Sequence, residues 1–147
     1  MVISIENISQ KQGGNGGIGY NDYEDIINKF GGVTNIRSVK PKQAIIRSGD
    51  AIDSFQFVYN VVTEDGISHD HTGNKCGGSG GIEQYINFSD DEQITSINGR
   101  HGSFGGADVL KYLQIQTSRA SYNYGISSPT DTSFTLQGDI IFCSSGE

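Results

Sequence analysis

Residues 44–59 read AIIRSGDAIDSFQFVY, and both halves of this stretch carry one period. In Ala44-Ile45-Ile46-Arg47 and in Ser54-Phe55-Gln56-Phe57-Val58-Tyr59, apolar or aromatic side chains return at alternate positions. That period places one face of a β-strand against a core and the other toward water. Ser48-Gly49-Asp50 breaks the run between the halves, so the stretch predicts strand, tight loop, strand. The same alternation recurs in Gln93-Ile94-Thr95-Ser96-Ile97, in Tyr112-Leu113-Gln114-Ile115-Gln116-Thr117 and in Ser133-Phe134-Thr135-Leu136. Composition agrees: 21 glycines, two prolines, abundant Ile, Val, Ser, Thr, Tyr and Phe, and little Leu or Ala favour strands joined by glycine turns. The chain is expected to be all-β. Only residues 23–30 look helical, and there Glu24 and Asp25 beside Ile26-Ile27 suit a short helix, a turn or a strand equally well.

The unit of residues 44–59 is repeated. Residues 94–117, ITSINGRHGSFGGADVLKYLQIQT, follow the same plan, and GDIIFCSSGE at 138–147 begins it a third time. A glycine pentad also recurs, Gly13-Gly14-Asn15-Gly16-Gly17 and Gly77-Gly78-Ser79-Gly80-Gly81. Three units, each too small to bury its own apolar face, imply pseudo-three-fold symmetry. The third unit stops just after Ser145-Gly146-Glu147, where a loop and a strand should follow, and the N-terminal Val2-Ile3-Ser4-Ile5-Glu6 has the required alternation. Residues Val2 to Ile8 are therefore expected to pair with the C-terminal repeat, as in a circular permutation. The core is expected to contain Ile46, Phe55, Phe57, Ile94, Ile97, Leu113, Ile115, Phe134 and Leu136.

Charge and length narrow the function. The 147 residues suit one domain, 1–147. Ten Lys+Arg against 17 Asp+Glu give a net charge of −7, which repels nucleic acid. No apolar run is long enough to insert in a membrane. The opening MVISIENISQKQ has no basic or apolar leader region, so a cytoplasmic location, or export without a signal peptide, is expected. The sequons at Asn7 and Asn87 then carry no glycan. Cys76 and Cys143 are too few for a disulfide scaffold and are read from spacing alone as free thiols.

GGNGG, IIRSGDAIDSFQFVY, GGSGG, ITSINGRHG, VLKYLQIQTS, the Tyr124-Gly125 pair, TSFTL and GDIIFCSSG stand in an order and spacing that resemble the jacalin-related lectins, particularly the mannose-binding kind. The likeness runs from about Gly13 to the C-terminus. It implies a β-prism I fold, three four-stranded Greek-key sheets around one axis, and a carbohydrate-binding protein that is not an enzyme and needs no cofactor or metal. It further implies mannose- or glucose-containing glycans as partners, bound through a Gly-x-x-x-Asp loop beside a GGxGG loop. The family's final Gly-x-x-x-Asp loop has no counterpart before Glu147, so the complete pair in this chain is Gly49-Asp50-Ala51-Ile52-Asp53 with the pentad at 77–81.

The chemistry of that pair is straightforward. A carboxylate that accepts two vicinal sugar hydroxyls makes charge-assisted bonds, and glycine lets the main chain approach because it lacks Cβ and accepts positive φ. By resemblance, Asp53 accepts from two hydroxyls, the Asp50 and Ala51 N–H groups donate to the sugar, and Gly80 or Gly81 contributes another N–H. Gly49 opens the loop. In the second repeat Lys111 aligns with Asp53; a lysine cannot accept hydroxyl protons, so that repeat is expected to be silent. Gly16-Gly17 beside Gly146 is the fallback location for a sugar. Preference for mannose over galactose follows from the resemblance, because galactose binding in the family goes with a chain cleaved at the first pentad, and here twelve residues precede Gly13.

Plainer readings stand beside these. The pentads also suit ligand-free turns, and no Gly-Lys-Ser/Thr follows them to make a phosphate loop. Asp53 alone also suits a turn cap. His69-Asp70-His71 is placed in a polar loop, without a third metal ligand at suitable spacing. Asp90-Asp91-Glu92 reads as a solvated turn, and His101 near Asp108 has no nucleophile elbow. Two other functions remain open at this point: a prism that serves as an interaction or structural domain after losing its sugar site, and the glycan-targeting module of a larger toxin or adhesin. Single sugar sites bind weakly, so avidity would call for homo-oligomers or clustered glycans.

Overall fold

The computed structural model describes residues 2–6, 10–13, 20–136 and 140–145, and describes side chains over residues 22–135. In chain order the elements are β1 (Val2–Glu6), β2 (Gln10–Gly13), β3 (Tyr20–Asn21), α1 (Asp22–Lys29), a 3₁₀ turn (Val33–Asn35), β4 (Ile36–Ser48), β5 (Ile52–Thr63), β6 (Ser68–Thr72), β7 (Cys76–Gly77), β8 (Ile82–Asn87), β9 (Ile94–Phe104), β10 (Ala107–Thr117), β11 (Ser121–Gly125), β12 (Thr132–Leu136) and β13 (Ile140–Ser145).

Three antiparallel sheets form, ordered β2-β1-β13-β3, β6-β5-β4-β8 and β11-β10-β9-β12. In the second and third sheets, three consecutive strands lie side by side and a fourth returns to pair with the first, which is a Greek key. The first sheet has the same order if β13 is taken as its first strand and β1 as its second. Val2 to Glu6 pair with Ser144 to Ile140, as the alternation at the N-terminus predicted for Val2–Glu6; residues 7 and 8 lie outside the described residues. One detail differs from three equal sheets. The short β7 adds to β5, so the middle sheet has five strands.

The apolar faces meet inside. Ile46, Phe55, Phe57, Ile97, Leu113 and Ile115 are fully buried, as the period of two requires, while Ile94 and Phe134 pack against them half-buried. The Leu136 side chain lies outside the described ones. Tyr59, Val61, Ala44 and Ile26 complete the centre, and the Phe55 and Phe57 rings meet edge to face at 4.7 Å.

Several readings of the sequence are corrected. Residues 22–29 are a helix: Asp22, Glu24 and Asp25 occupy its first turn and Lys29 its last, matching the helix dipole. Asp22 is buried and accepts hydrogen bonds from the Tyr59 hydroxyl at 2.7 Å and from the Asn74 N–H and Nδ2 at 2.8 Å each; these bonds lock the helix onto the middle sheet. The three bonds only partly offset burial, which holds the Asp22 carboxyl above its ordinary range. His69-Asp70-His71 belongs to β6, not to a loop: Asp70 pairs with Lys42 at 2.7 Å, whereas both imidazoles lie against Phe30. Glu92 leaves the solvated turn expected for it. It is buried and accepts from Thr117 Oγ1 at 2.5 Å, the Tyr122 hydroxyl at 3.0 Å and the Ser89 N–H at 3.1 Å. Burial pushes its carboxyl up, but those bonds together hold it below the usual value. Finally, Cys76 is buried and disulfide-bonded, which overturns the free thiol read from spacing. The chain's other cysteine, Cys143, stands in β13, and β7 packs against β13; which cysteines meet is set by strand packing, which spacing does not report.

Candidate functional site

The β4–β5 hairpin turns at Gly49-Asp50-Ala51, with the Gly49 N–H donating to the Ala51 carbonyl at 3.0 Å. Its strands then slip by one residue: Arg47 pairs with Ser54 and Ser48 with Ile52, leaving Asp53 opposite no partner. Asp53 is therefore a β-bulge residue, and a bulge is a device that re-aims a side chain out of the regular pleat. Sequence alternation alone did not show this. The Asp53 main chain is in turn held by the glycine loop, whose Gly78 N–H donates to the Asp53 carbonyl at 2.8 Å. At Gly77 (φ 117°) any Cβ would stand 2.1 Å from that same carbonyl oxygen, so the approach requires glycine.

The pentad then passes beneath the carboxylate. A Cβ on Gly80 would come within 2.9 Å of Asp53 Oδ1, and one on Gly81 within 2.4 Å of Oδ2. The two residues predicted to share the site with Asp53 are thus in van der Waals contact with its carboxylate, and only hydrogen-bearing Cα atoms fit there. Among the described residues, no hydrogen bond donor reaches the Asp53 carboxylate. Asp50, Gly80 and Gly81 are exposed and Ala51 half-buried, which leaves a shallow, open rim around that acceptor.

A residue not foreseen in the sequence holds the loop in place. Arg47 donates from Nε to the Gly80 carbonyl at 2.9 Å and from its terminal nitrogen to the Gly81 carbonyl at 3.2 Å, and its guanidinium also faces Glu83 at 3.7 Å. Both carbonyls accept from Arg47 while Gly80 and Gly81 lie under Asp53. Arg47 occupies an outward position of the β4 alternation, which marks it as exposed without indicating what it touches.

The second repeat builds the same frame and fills it. In β10, Leu110 pairs with His101 and Tyr112 with Arg100, leaving Lys111 as the bulge residue, so the alignment of Lys111 with Asp53 is a structural equivalence. Main-chain details match as well: the Ile126 N–H donates to the Lys111 carbonyl at 3.1 Å, and a Cβ on Gly125 (φ 81°) would stand 2.1 Å from that oxygen. The difference comes at the residue before the returning strand. Where the first frame has Gly81 before β8, the second has Asp131 before β12. Asp131 takes the Lys111 ammonium at 3.2 Å, the Ser128 hydroxyl at 3.0 Å and the Ser128 N–H at 2.6 Å. The Ser128 N–H foremost, and Lys111 with it, hold the Asp131 carboxyl below its ordinary range. The sequence had pointed to Lys111 but not to Asp131.

The remaining candidates do not join either frame. His101 and Asp108 form an exposed cross-strand pair at 3.1 Å on the β9–β10 hairpin. Gly16, Gly17 and Gly146 lie outside the described residues.

Three Greek-key sheets, two of them carrying these bulge-and-glycine frames, define a β-prism of the lectin class, a fold that binds carbohydrate and performs no catalysis. The model of the Jacalin-like lectin domain matches residues 9–146, and the chain belongs to that family. It is similar to horcolin from Hordeum vulgare, 35% identical over 101 residues that cover 63% of this chain and 67% of horcolin. Among solved structures it is similar to AcmJRL, a mannose-binding jacalin-related lectin from Ananas comosus, with 28% identity, a TM-score of 0.55, and coverage of 67% of this chain and 65% of that one. Frutalin from Artocarpus incisa, solved in complex with galactose, shares the fold at 20% identity and a TM-score of 0.56, covering 72% of this chain and 92% of frutalin.

Proposed function

We propose that this lectin domain binds mannose- or glucose-type glycans at Asp53, with the Gly49–Ala51 turn and the Gly80-Gly81 edge forming the rest of the site. The observation that carries the reading is the bulged Asp53 carboxylate, which lies open over two glycines with no donor among the described residues to satisfy it. Two vicinal sugar hydroxyls suit that acceptor. The turn uses the Gly49 N–H for its own closure, so the N–H groups of Asp50 and Ala51 are the donors assigned to the sugar. Mannose is favoured over galactose because the 28% identical AcmJRL is described as mannose-binding, whereas the likeness to frutalin rests on the fold alone.

Affinity for one sugar residue should be low. Each hydrogen bond to sugar replaces one to water and contributes about 0.5–1.5 kcal/mol, or roughly 1.5–3 at a carboxylate. After the cost of association the total comes to about −4 kcal/mol, a millimolar Kd. Titration calorimetry with methyl-α-mannoside and methyl-α-galactoside tests the preference. Millimolar heat of binding is expected for the mannoside and none for the galactoside; equal binding of both, or galactoside alone, would overturn it.

A further inference from the structure

We infer that the disulfide between Cys76 and Cys143 is a redox latch on the sugar site: it fixes the glycine loop beneath Asp53, so a dithiol reductant weakens sugar binding and bound sugar protects the bridge. This rests on the proposed sugar site at Asp53 and adds its regulation. Cys76 is disulfide-bonded and fully buried, and Cys143 is the only other cysteine of the chain. The bridge therefore joins β7 to β13, strands that pack together but belong to different sheets.

The strand β7 has two residues, Cys76 pairing with Phe55 and Gly77 with Ser54. Gly77 is the residue that approaches the Asp53 carbonyl and leads the pentad under the carboxylate. Upstream, Asn74 is fixed by Asp22, and downstream Arg47 takes the carbonyls of Gly80 and Gly81. Over residues 75–81 only Cys76 is buried, so the bridge is where this stretch is held inside the molecule. Four of the five residues from 77 to 81 are glycine, the residue that loses most conformational freedom when it is fixed. Such a segment keeps its shape through its anchors, and a covalent anchor one residue before Gly77 is the strongest of them.

With Cys76 fully buried, a reductant reaches its sulfur only when β7 lifts away from β5. The first thiolate of a dithiol attacks the bridge to give a mixed disulfide, and its second closes a ring on the first. Cys76 and Cys143 are left as thiols, the bridge having gained two electrons and two protons that the dithiol lost. Sugar that needs the loop in place opposes the lifting, and by reciprocity the reduced, loosened loop binds sugar less well.

The experiment follows reduction of the folded chain by dithiothreitol, quenched with iodoacetamide and read by mass, with and without methyl-α-mannoside at about ten times its Kd. Reduction should be roughly tenfold slower with the sugar, and the sugar should give no protection in Asp53→Ala. Urea below the unfolding transition should leave the rate unchanged, because lifting two residues exposes little surface. In titration calorimetry the Cys76→Ala/Cys143→Ala chain, or the unsubstituted chain held reduced where that variant does not fold, should bind methyl-α-mannoside roughly fivefold more weakly, the loop then keeping its binding form about a fifth of the time. Equal reduction rates with and without a sugar that binds, a rate that climbs steeply with urea, or unchanged affinity without the bridge overturns the latch and leaves the Asp53 site standing. No mannoside binding by the oxidised chain overturns both.

Discussion

The hairpins β4–β5 and β9–β10 share a backbone design and differ in what occupies it. Each has a bulge residue with no cross-strand partner, Asp53 in one and Lys111 in the other. Each bulge carbonyl accepts an N–H from the loop that follows, at 2.8 Å and 3.1 Å respectively, and each is approached by a glycine with positive φ. At the position before the returning strand the two diverge: Gly81 leaves the first frame open above the glycine backbone, and Asp131 closes the second with an ion pair. A repeated frame therefore supplies the geometry, and two side chains decide whether it stands open or is closed by an ion pair.

Breaking the closed frame should have the largest effect. The Lys111 and Asp131 side chains are 14% and 3% exposed, and removing one member of a shielded pair strands the other. Asp131→Ala should lower Tm by roughly 5–10 °C without altering mannoside affinity, as scanning calorimetry and titration would show. A loss of affinity comparable to the loss of stability would mean that the closed frame participates in binding.

Next in size is an added methyl in the open frame. Gly81 has φ 70°, and its Cβ would meet Asp53 Oδ2 at 2.4 Å and the Ser48 carbonyl group at 2.8 Å. Gly81→Ala should cost about 1–3 kcal/mol of stability and weaken mannoside binding by roughly tenfold or more as the carboxylate is displaced. Unchanged affinity would show that the Gly81 contact does not position Asp53.

Acid should distinguish the frames more gently. A carboxyl held below its ordinary value stabilises the fold at pH above the unfolded value, here 3.8 for aspartate, and loses that contribution as pH falls through the lower folded value. The Asp131→Asn variant should therefore lose less stability than the unsubstituted chain as pH falls below about 3.8, measured by denaturant melts at stepped pH. Parallel curves would contradict the assignment of that hydrogen-bonded carboxylate. The smallest change expected is at Gly105, which also has positive φ (61°) but open space where a Cβ would go. Gly105→Ala should cost only the conformational preference, about 1 kcal/mol, and leave sugar binding untouched.

Much of this was legible before any coordinates. Periodicity of two located six of the strands, β1, β4, β5, β9, β10 and β12, and six of the fully buried core residues, and the internal repeat anticipated the closure of one sheet by β1 beside β13, because strand pairing must satisfy backbone groups that an edge would leave open. Gly49, Asp50, Ala51, Asp53, Gly80 and Gly81 were legible as motif positions, and the structure brings Gly80 and Gly81 to the Asp53 carboxylate. What escaped was everything fixed by tertiary contact. The helix at 22–29 is stabilised by Asp22 bonding to Tyr59 and Asn74, partners 37 and 52 residues away. Glu92 is buried because Thr117 and Tyr122 satisfy it. The bulges, the Arg47 clamp and the Asp131 closure are register and packing events, to which alternation along a single strand is blind.

The central claim is that the open frame binds and the closed frame does not. Methyl-α-mannoside titrated into Asp53→Ala and Lys111→Ala, each beside the unsubstituted chain, tests it directly. Binding should vanish in Asp53→Ala and persist with unchanged affinity in Lys111→Ala, with both variants still folded by circular dichroism. Undiminished binding in Asp53→Ala, or its loss in Lys111→Ala alone, would contradict the account.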